Sequence, residues 1–282
     1  MGELMKLQIY DNIEAFGDDT LEVLLENEVQ NNLPISFITS KAKLDRSNWF
    51  LATIKDNSGG VLLTAACTPP FNLVGYLTRN KPNDAAVKLL SDEIKAMGIK
   101  LPGVLAESTF ARSFAEAHVG KNGFESHMTA NIMQLDEVND LEKMPGQMRE
   151  IDGSDLYYIP YWMRAFREEC RIETYSIGEE EKRIKLHTGT HFVWQDFIPM
   201  SQAGTERKTI NGAGVGYVYT PPFYRGMGYA TALVAELSQL LLDRGNKFCF
   251  LFADANNPIS CGIYRKIGYV DRCVTEQLDF IV

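Results

Sequence analysis

Within this 282-residue chain, the segment Tyr224-Arg225-Gly226-Met227-Gly228-Tyr229-Ala230 has the residue types and spacing to bind a phosphate. Gly226 and Gly228 lack a Cβ, so the backbone there can approach an anion closely and take up dihedrals that other residues resist. Downstream, Ala230, Leu233, Val234, Leu237, Leu240 and Leu241 recur at the spacing of one helical face. The first turn of such a helix has N–H groups without intrahelical partners and the positive end of the helix dipole, and both stabilise an anion. An ordinary glycine turn ahead of a helix is the plainer alternative, and these residues alone do not separate the two.

The elements that must hold this turn are also readable. Val215, Tyr217 and Tyr219 alternate as in a strand leading into it, and Gly245 stops the helix that leaves it. Lys247 to Ala253 is nearly unbroken apolar sequence, which predicts a strand buried on both faces. Asn257-Pro258 reads as a helix cap followed by proline at the first helical position. Gly212, Gly214 and Gly216 fit a close approach or a bulge, or a plain flexible edge at Gly212. Their spacing fails G-x-G-x-x-G, which argues against a dinucleotide fold.

Arg225, Gly228 and Ala230 match R-x-x-G-x-G/A, the pyrophosphate pattern of the GNAT superfamily of N-acetyltransferases. Asn257 to Tyr269 resembles the superfamily's N-x-x-[AS]-x-x-x-Y-x-x-x-G-[FY], with Asn257, Ser260, Tyr264, Gly268 and Tyr269 at the defining positions and in the expected order. The resemblance is strong from Tyr217 to Tyr269 and thin elsewhere. It implies acetyl-CoA as co-substrate and a primary amine of a small molecule or peptide as acceptor. The amine attacks the thioester directly, through a tetrahedral intermediate whose oxygen must be stabilised.

The resemblance also assigns roles. Val218, Tyr219 and Thr220 belong to the strand segment whose backbone meets pantetheine and the thioester oxygen. Arg225, Gly226, Met227, Gly228, Tyr229 and Ala230 hold the diphosphate, mostly through N–H groups. Asn257 and Ser260 lie along the pantetheine arm, and Tyr264 is the general acid for the departing thiolate. For Asn257 a helix cap, and for Tyr264 a core tyrosine, are the plainer alternatives. Many relatives carry a Glu on the strand that here is Val215 to Tyr219, and this chain has none. Asp254 is therefore the expected base, with Glu206, His191, Asp196 or a water chain as further candidates; each also reads as a solvated surface group. Tyr157, Tyr158, Tyr161 and Trp162 either line an acceptor pocket or are the core face of a helix. A non-catalytic acyl-CoA sensor is the alternative function, and a longer acyl group a third possibility.

Composition narrows the field. Hydrophobic content of 45% and a length of 282 residues suit two ordinary domains. A formal net charge of -9 without any basic run disfavours nucleic acid. Cys67, Cys170, Cys249, Cys261 and Cys273 lack C-x-x-C spacing and point to reduced thiols in a cytoplasm. No stretch reaches the ~20 apolar residues of a membrane span, and Lys6 stands where myristoylation needs Ser or Thr. His118, His127, His187 and His191 form no ligand pattern, so no metal is expected. A monomer or homodimer is expected.

Acidic residues with Asn139, Pro145 and Gly146 mark a linker over Glu137 to Gln147. The expected division is a degenerate GNAT-like domain over 1–140, without the cofactor motif, and a catalytic GNAT domain over 146–282. Each is α/β, a mixed sheet flanked by helices. In the first half, Asp18 or Asp19 is expected to cap a helix through Val29. Phe50–Ile54 and Val61–Ala66 form a hairpin, followed by a helix over Asp84 to Met97, a strand near Val104, a helix over Phe110 to His118 and a strand over Phe124 to Leu135. In the second half, a strand over Gln147 to Ile151 precedes a helix capped by Ser154 or Asp155, an exposed helix over Gly178 to Lys185, and strands over 191–197 and 198–202. Thr68-Pro69-Pro70-Phe71 echoes Thr220-Pro221-Pro222-Phe223, and Lys121-Asn122-Gly123-Phe124 echoes Lys266-Ile267-Gly268-Tyr269, as an old duplication would leave them. On that alignment the first half lacks the phosphate turn, with Val119 opposite Tyr264 and Arg112 opposite Asn257.

Overall fold

The computed structural model describes residues 5–40, 45–186 and 189–281; His187 lies outside them. The first run of elements is β1 (Lys6–Ile9), α1 (Ile13–Leu25), α2 (Asn32–Thr39), β2 (Phe50–Lys55), β3 (Val61–Cys67), β4 (Leu73–Leu77), α3 (Asp84–Ala96), β5 (Gly103–Glu107), α4 (Ser108–Val119) and β6 (Phe124–Leu135). The second is β7 (Gln147–Glu150), α5 (Ile159–Glu169), α6 (Ile177–Leu186), β8 (His191–Gln195), β9 (Pro199–Lys208), β10 (Gly212–Tyr219), α7 (Tyr229–Asp243), β11 (Phe248–Asp254), α8 (Pro258–Ile267) and β12 (Val270–Phe280). Strand for strand and helix for helix, the second run repeats the first. Short 3-10 turns at Thr78–Asn80, Gly153–Tyr157 and Pro222–Tyr224 complete the chain.

The chain forms two compact units, one of residues 1–132, 253–256 and 271–282 and one of 133–252 and 257–270. Strands in the first follow the order β1-β2-β3-β4-β5-β12-β6, and in the second β11-β10-β9-β8-β7. The 1–140 and 146–282 division follows the chain, whereas by contacts residues 271–282 pack in the first unit. There β12 runs antiparallel to β5 from Thr275↔Glu107 to Asp279↔Gly103. Thr275 Oγ1 donates to the Ala106 carbonyl at 2.7 Å and Arg112 reaches Glu276 at 2.8 Å.

In the first unit, α3 and α4 cover the sheet with Val87, Leu90, Ile94, Phe110, Phe114 and Ala115, against Leu63, Leu73, Val104 and Leu278. The α1 cap is Asn12, whose Oδ1 accepts from Ala15 N at 2.8 Å, and not Asp18 or Asp19. Those aspartates lie inside the helix, where Asp19 accepts from Tyr10 and Lys55, each at 2.7 Å. Val29 lies beyond the end of α1. Short β1 and glycine-interrupted β4, together with α2, have no strong period of their own and were not expected from sequence.

In the second unit the cap at the start of the α5 region is Asp152, which accepts from Ser154 N at 2.7 Å and forms a capping box with Asp155. Arg149 of β7 donates to both Asp155 oxygens, at 2.6 and 2.8 Å, and Tyr158 donates to Oδ1 as well. Helix α6 is only half solvated: Glu180 and Ile184 are buried, and Glu180 meets Arg167 of α5 at 2.6 Å.

The two Thr-Pro-Pro-Phe echoes occupy different places. The first joins β3 to β4 and the second joins β10 to the turn before α7, so the counterpart of the glycine turn is Thr78 to Asn83, between β4 and α3. The Lys-x-Gly echo does join equivalent elements, α4 to β6 and α8 to β12. With α4 and α8 aligned at their caps, Glu107 stands opposite Asn257, replacing the Arg112 of the sequence alignment.

Candidate functional site

Strands β10 and β11 are parallel and pair from Gly212↔Phe248 to Gly214↔Phe250, after which they part while both continue. On its other side β10 pairs with β9, and between Gly216↔Gly204 and Tyr219↔Gln202 three steps of β10 face two of β9. That bulge falls on Tyr217 and Val218. Tyr217 has φ 55, a left-handed conformation that costs a bulky residue about 1–3 kcal/mol. Neighbours hold it there: the His191 ring stacks on it at 5.4 Å and 17°, Phe166 meets it edge-on at 6.0 Å, and Gln202 Nε2 donates to its carbonyl at 3.3 Å. Burial, and after it the charge of Glu206, raise the Tyr217 phenol above its ordinary value.

The strand ends in a fixed hydrogen-bond set. Ser201 Oγ donates to the Tyr219 carbonyl at 3.1 Å and shares a hydrogen bond with Thr220 Oγ1 at 2.8 Å. Past the 3-10 turn, Gly226 has φ 75 and Gly228 φ 92, both in the region where glycine is at no disadvantage. Gly228 is the N-cap of α7 and no side chain caps that helix, so its first N–H groups are open to an anion. Met227 is exposed, Tyr229 and Ala230 half-buried. The Arg225 side chain turns elsewhere: Nε donates to the Thr220 carbonyl at 2.8 Å, and Nη2 chelates Glu169 at 2.7 and 2.9 Å.

In α8, Asn257 is the helix cap, with Oδ1 accepting from Ser260 N at 3.1 Å ahead of Pro258. Tyr264 is 7% exposed. Its hydroxyl bonds to Ser260, and burial raises its pKa, so it stays protonated. Its ring packs edge-on against Tyr269 at 6.0 Å.

The candidate bases are scattered. Asp254 is exposed at the end of β11, and its Oδ1 accepts from Asn256 N at 2.9 Å. Asp196 is in the β8–β9 turn. His191 is buried against Tyr217. Glu206 of β9 lies beside Gly216: a Cβ on that glycine would stand 2.4 Å from Glu206 Oε1. Of the aromatic group, Tyr158 and Trp162 pack with Ile159, Met163, Ile184 and Val193, with Trp162 6.4 Å from the Tyr219 ring. Tyr157 and Tyr161 face solvent. Sequence reasoning missed Ser201, Gln202, Glu169 and Met144, whose Sδ lies 3.3 Å from where a Gly228 Cβ would be; only the β9–β10 hairpin register carried a signal, for the first two.

The equivalent place in the first unit keeps a small cavity, lined by Gly75, Tyr76, Asn80, Pro82, Glu107 and Phe110, but it is built differently. Strands β4 and β5 pair from Leu73↔Val104 to Gly75↔Ala106, and the Phe110 ring fills the space over Gly75, where a Cβ would lie 2.3 Å from it. Phe110 stands three residues after the α4 cap, as Ser260 does after the α8 cap. The N-terminus of α3 is capped by Asn83, which accepts from Ala86 N at 3.0 Å, and Thr78 to Asn83 contains no glycine.

Among the described residues no group of three or more His, Cys, Asp or Glu side chains could hold a metal ion, and no helix is long and apolar enough to cross a membrane.

The model of the FR47-like protein family matches residues 200–278, the stretch from β9 through β12. No curated protein matches this sequence. Solved structures do share its fold over nearly the full length. An acetyltransferase of the GNAT family from Colwellia psychrerythraea superimposes with a TM-score of 0.60 at 12% identity, covering 98% of this chain and 99% of that one. A GCN5-related N-acetyltransferase from Sphaerobacter thermophilus gives 0.64 at 14%, over 98% and 96%. A tandem GNAT protein from the clavulanic acid biosynthesis pathway gives 0.56 at 11%, over 98% and 97%.

Proposed function

We propose that this chain, which belongs by fold to the GNAT superfamily, transfers an acetyl group from acetyl-CoA to a primary amine of a small molecule or peptide. The observation that carries the reading is the conjunction in one unit of a parted strand pair, a bulge at Tyr217, and an uncapped helix start at Gly228. A diphosphate suits the N–H groups from Gly226 to Ala230. The pantetheine arm suits the edge of β10 at Val218, Tyr219 and Thr220, with Asn257 and Ser260 at the start of α8.

In this reading the amine nitrogen gives a proton to a base and attacks the thioester carbon. The C–S bond then breaks, and the thiolate takes a proton from the Tyr264 hydroxyl. Burial supports that role, because it keeps the phenol protonated. For the base, geometry favours Glu206 over Asp254: Glu206 lies beside the β10 bulge, whereas Asp254 is exposed and engaged with Asn256 N. The first unit, with Phe110 over Gly75 and Asn83 on α3, is proposed as a structural partner without a cofactor site of its own. Chemistry is thus assigned to the 146–282 part. Five cysteines without C-x-x-C spacing support a reducing, cytoplasmic setting, and a monomer or homodimer with no nucleic-acid partner remains the expectation.

The test is CoA release, followed with a thiol-reactive dye, over a panel of primary amines. Amine-dependent release supports the enzyme. Tight acetyl-CoA binding with neither release nor hydrolysis would establish the sensor instead, and no binding would overturn both.

A further inference from the structure

Arg225 is the one side-chain cation of the glycine turn, and its guanidinium is already occupied. Nη2 contacts both oxygens of Glu169 at 2.7 and 2.9 Å, Nε donates to the Thr220 carbonyl at 2.8 Å, and the guanidinium carbon lies 5.6 Å from the Tyr219 ring centre. Glu169 is the last residue of α5 and is 56 positions away in sequence. The chain turns sharply just after it, with Arg171 at φ 54.

We infer that Glu169 is an affinity-setting residue of the cofactor site, a carboxylate that holds the Arg225 guanidinium until a diphosphate displaces it. This rests on the reading of the turn as a CoA diphosphate site. Arg225 and Glu169 are about half exposed, at 45% and 51%, and ion pairs in that setting are weak and screened by salt. A diphosphate has more negative charge, and arginine pairs with phosphate oxygens through parallel, charge-assisted hydrogen bonds. Exchange of Glu169 for the cofactor is therefore favourable but smaller than binding to a free arginine would be. The carboxylate lowers affinity for CoA and its esters, and speeds product departure, because the departing diphosphate has a successor for its arginine already in place. The pair also ties the end of α5 to the turn.

Calorimetry with CoA on the full-length chain tests this, using Glu169→Gln, Arg225→Gln, the double variant, and Glu168→Gln as a control. Glu168 pairs with Arg164 at 2.9 Å and not with the turn. The expected result is CoA binding about threefold to fivefold tighter in Glu169→Gln, the worth of one half-exposed ion pair. Glu168→Gln should not change, Arg225→Gln should bind more weakly, and the Glu169→Gln gain should disappear on the Arg225→Gln background. The gain should persist with dephospho-CoA, which keeps the diphosphate, and vanish with S-acetylpantetheine, which lacks it. In turnover, Glu169→Gln should lower KM for acetyl-CoA without raising kcat. Equal affinity in Glu169→Gln and the parent, or a gain that survives Arg225→Gln or appears with S-acetylpantetheine, would overturn the inference while leaving the proposed function intact. Failure of every variant to bind CoA would sink both.

Discussion

Glu206 occupies the space that a side chain at Gly216 would need, with Oε1 2.4 Å from where that Cβ would be. The two residues are on adjacent antiparallel strands. A carboxylate missing from β10 is thus delivered to the same neighbourhood by β9, with Arg207 at 3.3 Å as its ion-pair partner. Glu206→Gln is expected to lower kcat about a hundredfold or more, the usual worth of a general base, with KM for acetyl-CoA little changed. Asp254→Asn should have a minor effect. Steady-state kinetics giving the opposite order would reassign the base to Asp254.

Tyr264→Phe removes one hydroxyl from a buried site bounded by Ser260 and Tyr269. Turnover should fall about a hundredfold with acetyl-CoA affinity preserved. Because burial holds the phenol above its ordinary value of 10.0, the parent should keep its kcat at alkaline pH until beyond that value. A kcat–pH profile that declines well below it would remove Tyr264 as the group that sets the limb.

Gly228 combines a φ of 92 with a neighbour, Met144 Sδ, 3.3 Å from where a Cβ would lie. Gly228→Val therefore strains the backbone at the very N–H groups assigned to the diphosphate. Calorimetry should show CoA affinity reduced about tenfold, which is about 1.4 kcal/mol and within the roughly 1–3 kcal/mol of such backbone strain. Undiminished affinity would remove the phosphate-turn assignment.

Asp155 is 1% exposed and receives both Arg149 nitrogens. Burial acts to raise its pKa, but hydrogen bonds from Arg149 and Tyr158 outweigh that and leave it below its ordinary value of 3.8. A folded-state pKa below the unfolded one means that the stabilisation is complete above about pH 4 and is lost as pH falls through the folded value. Urea midpoints measured from pH 6 downward should drop below pH 4. In Asp155→Asn that drop should be shallower, from a start about 3 kcal/mol lower because Arg149 loses its charge partner.

Phe110→Ala should destabilise the first unit by about 3–5 kcal/mol, as deletion of a buried aromatic ring does. Calorimetry on the parent should find a single CoA site per chain, because in the first unit Asn83 caps α3 and the Phe110 ring lies over Gly75. A second CoA site of comparable affinity would show that the first unit had kept the function.

Much of this was visible in local pattern. The apolar run of β11, the period of α3 and the bounds of β6 needed no partner to be read, and neither did the glycine turn with its following helix or the Asn257 cap. Each depends on residues within a few positions, where dihedral preference and burial period act directly. The α1 cap misled because Asp18 and Asp19 have side chains of the capping type, and only packing showed that they lie inside the helix with Asp19 claimed by Tyr10 and Lys55. Helix α6 looked solvated because a buried Glu180 is tolerable only with Arg167 across from it. The Thr-Pro-Pro-Phe repeat suggested an alignment that element order corrected.

By itself, then, the sequence determined the fold of each half, the place of the glycine turn proposed to hold a diphosphate and the position of the tyrosine proposed as acid. Tertiary structure decided which carboxylate stands at the β10 bulge, which one engages Arg225, and that β12 packs beside β5. Those are pairings between residues 10, 56 and more than 160 positions apart. Their energy comes from contacts across strands and helices, which leave no periodic trace in either partner's own neighbourhood.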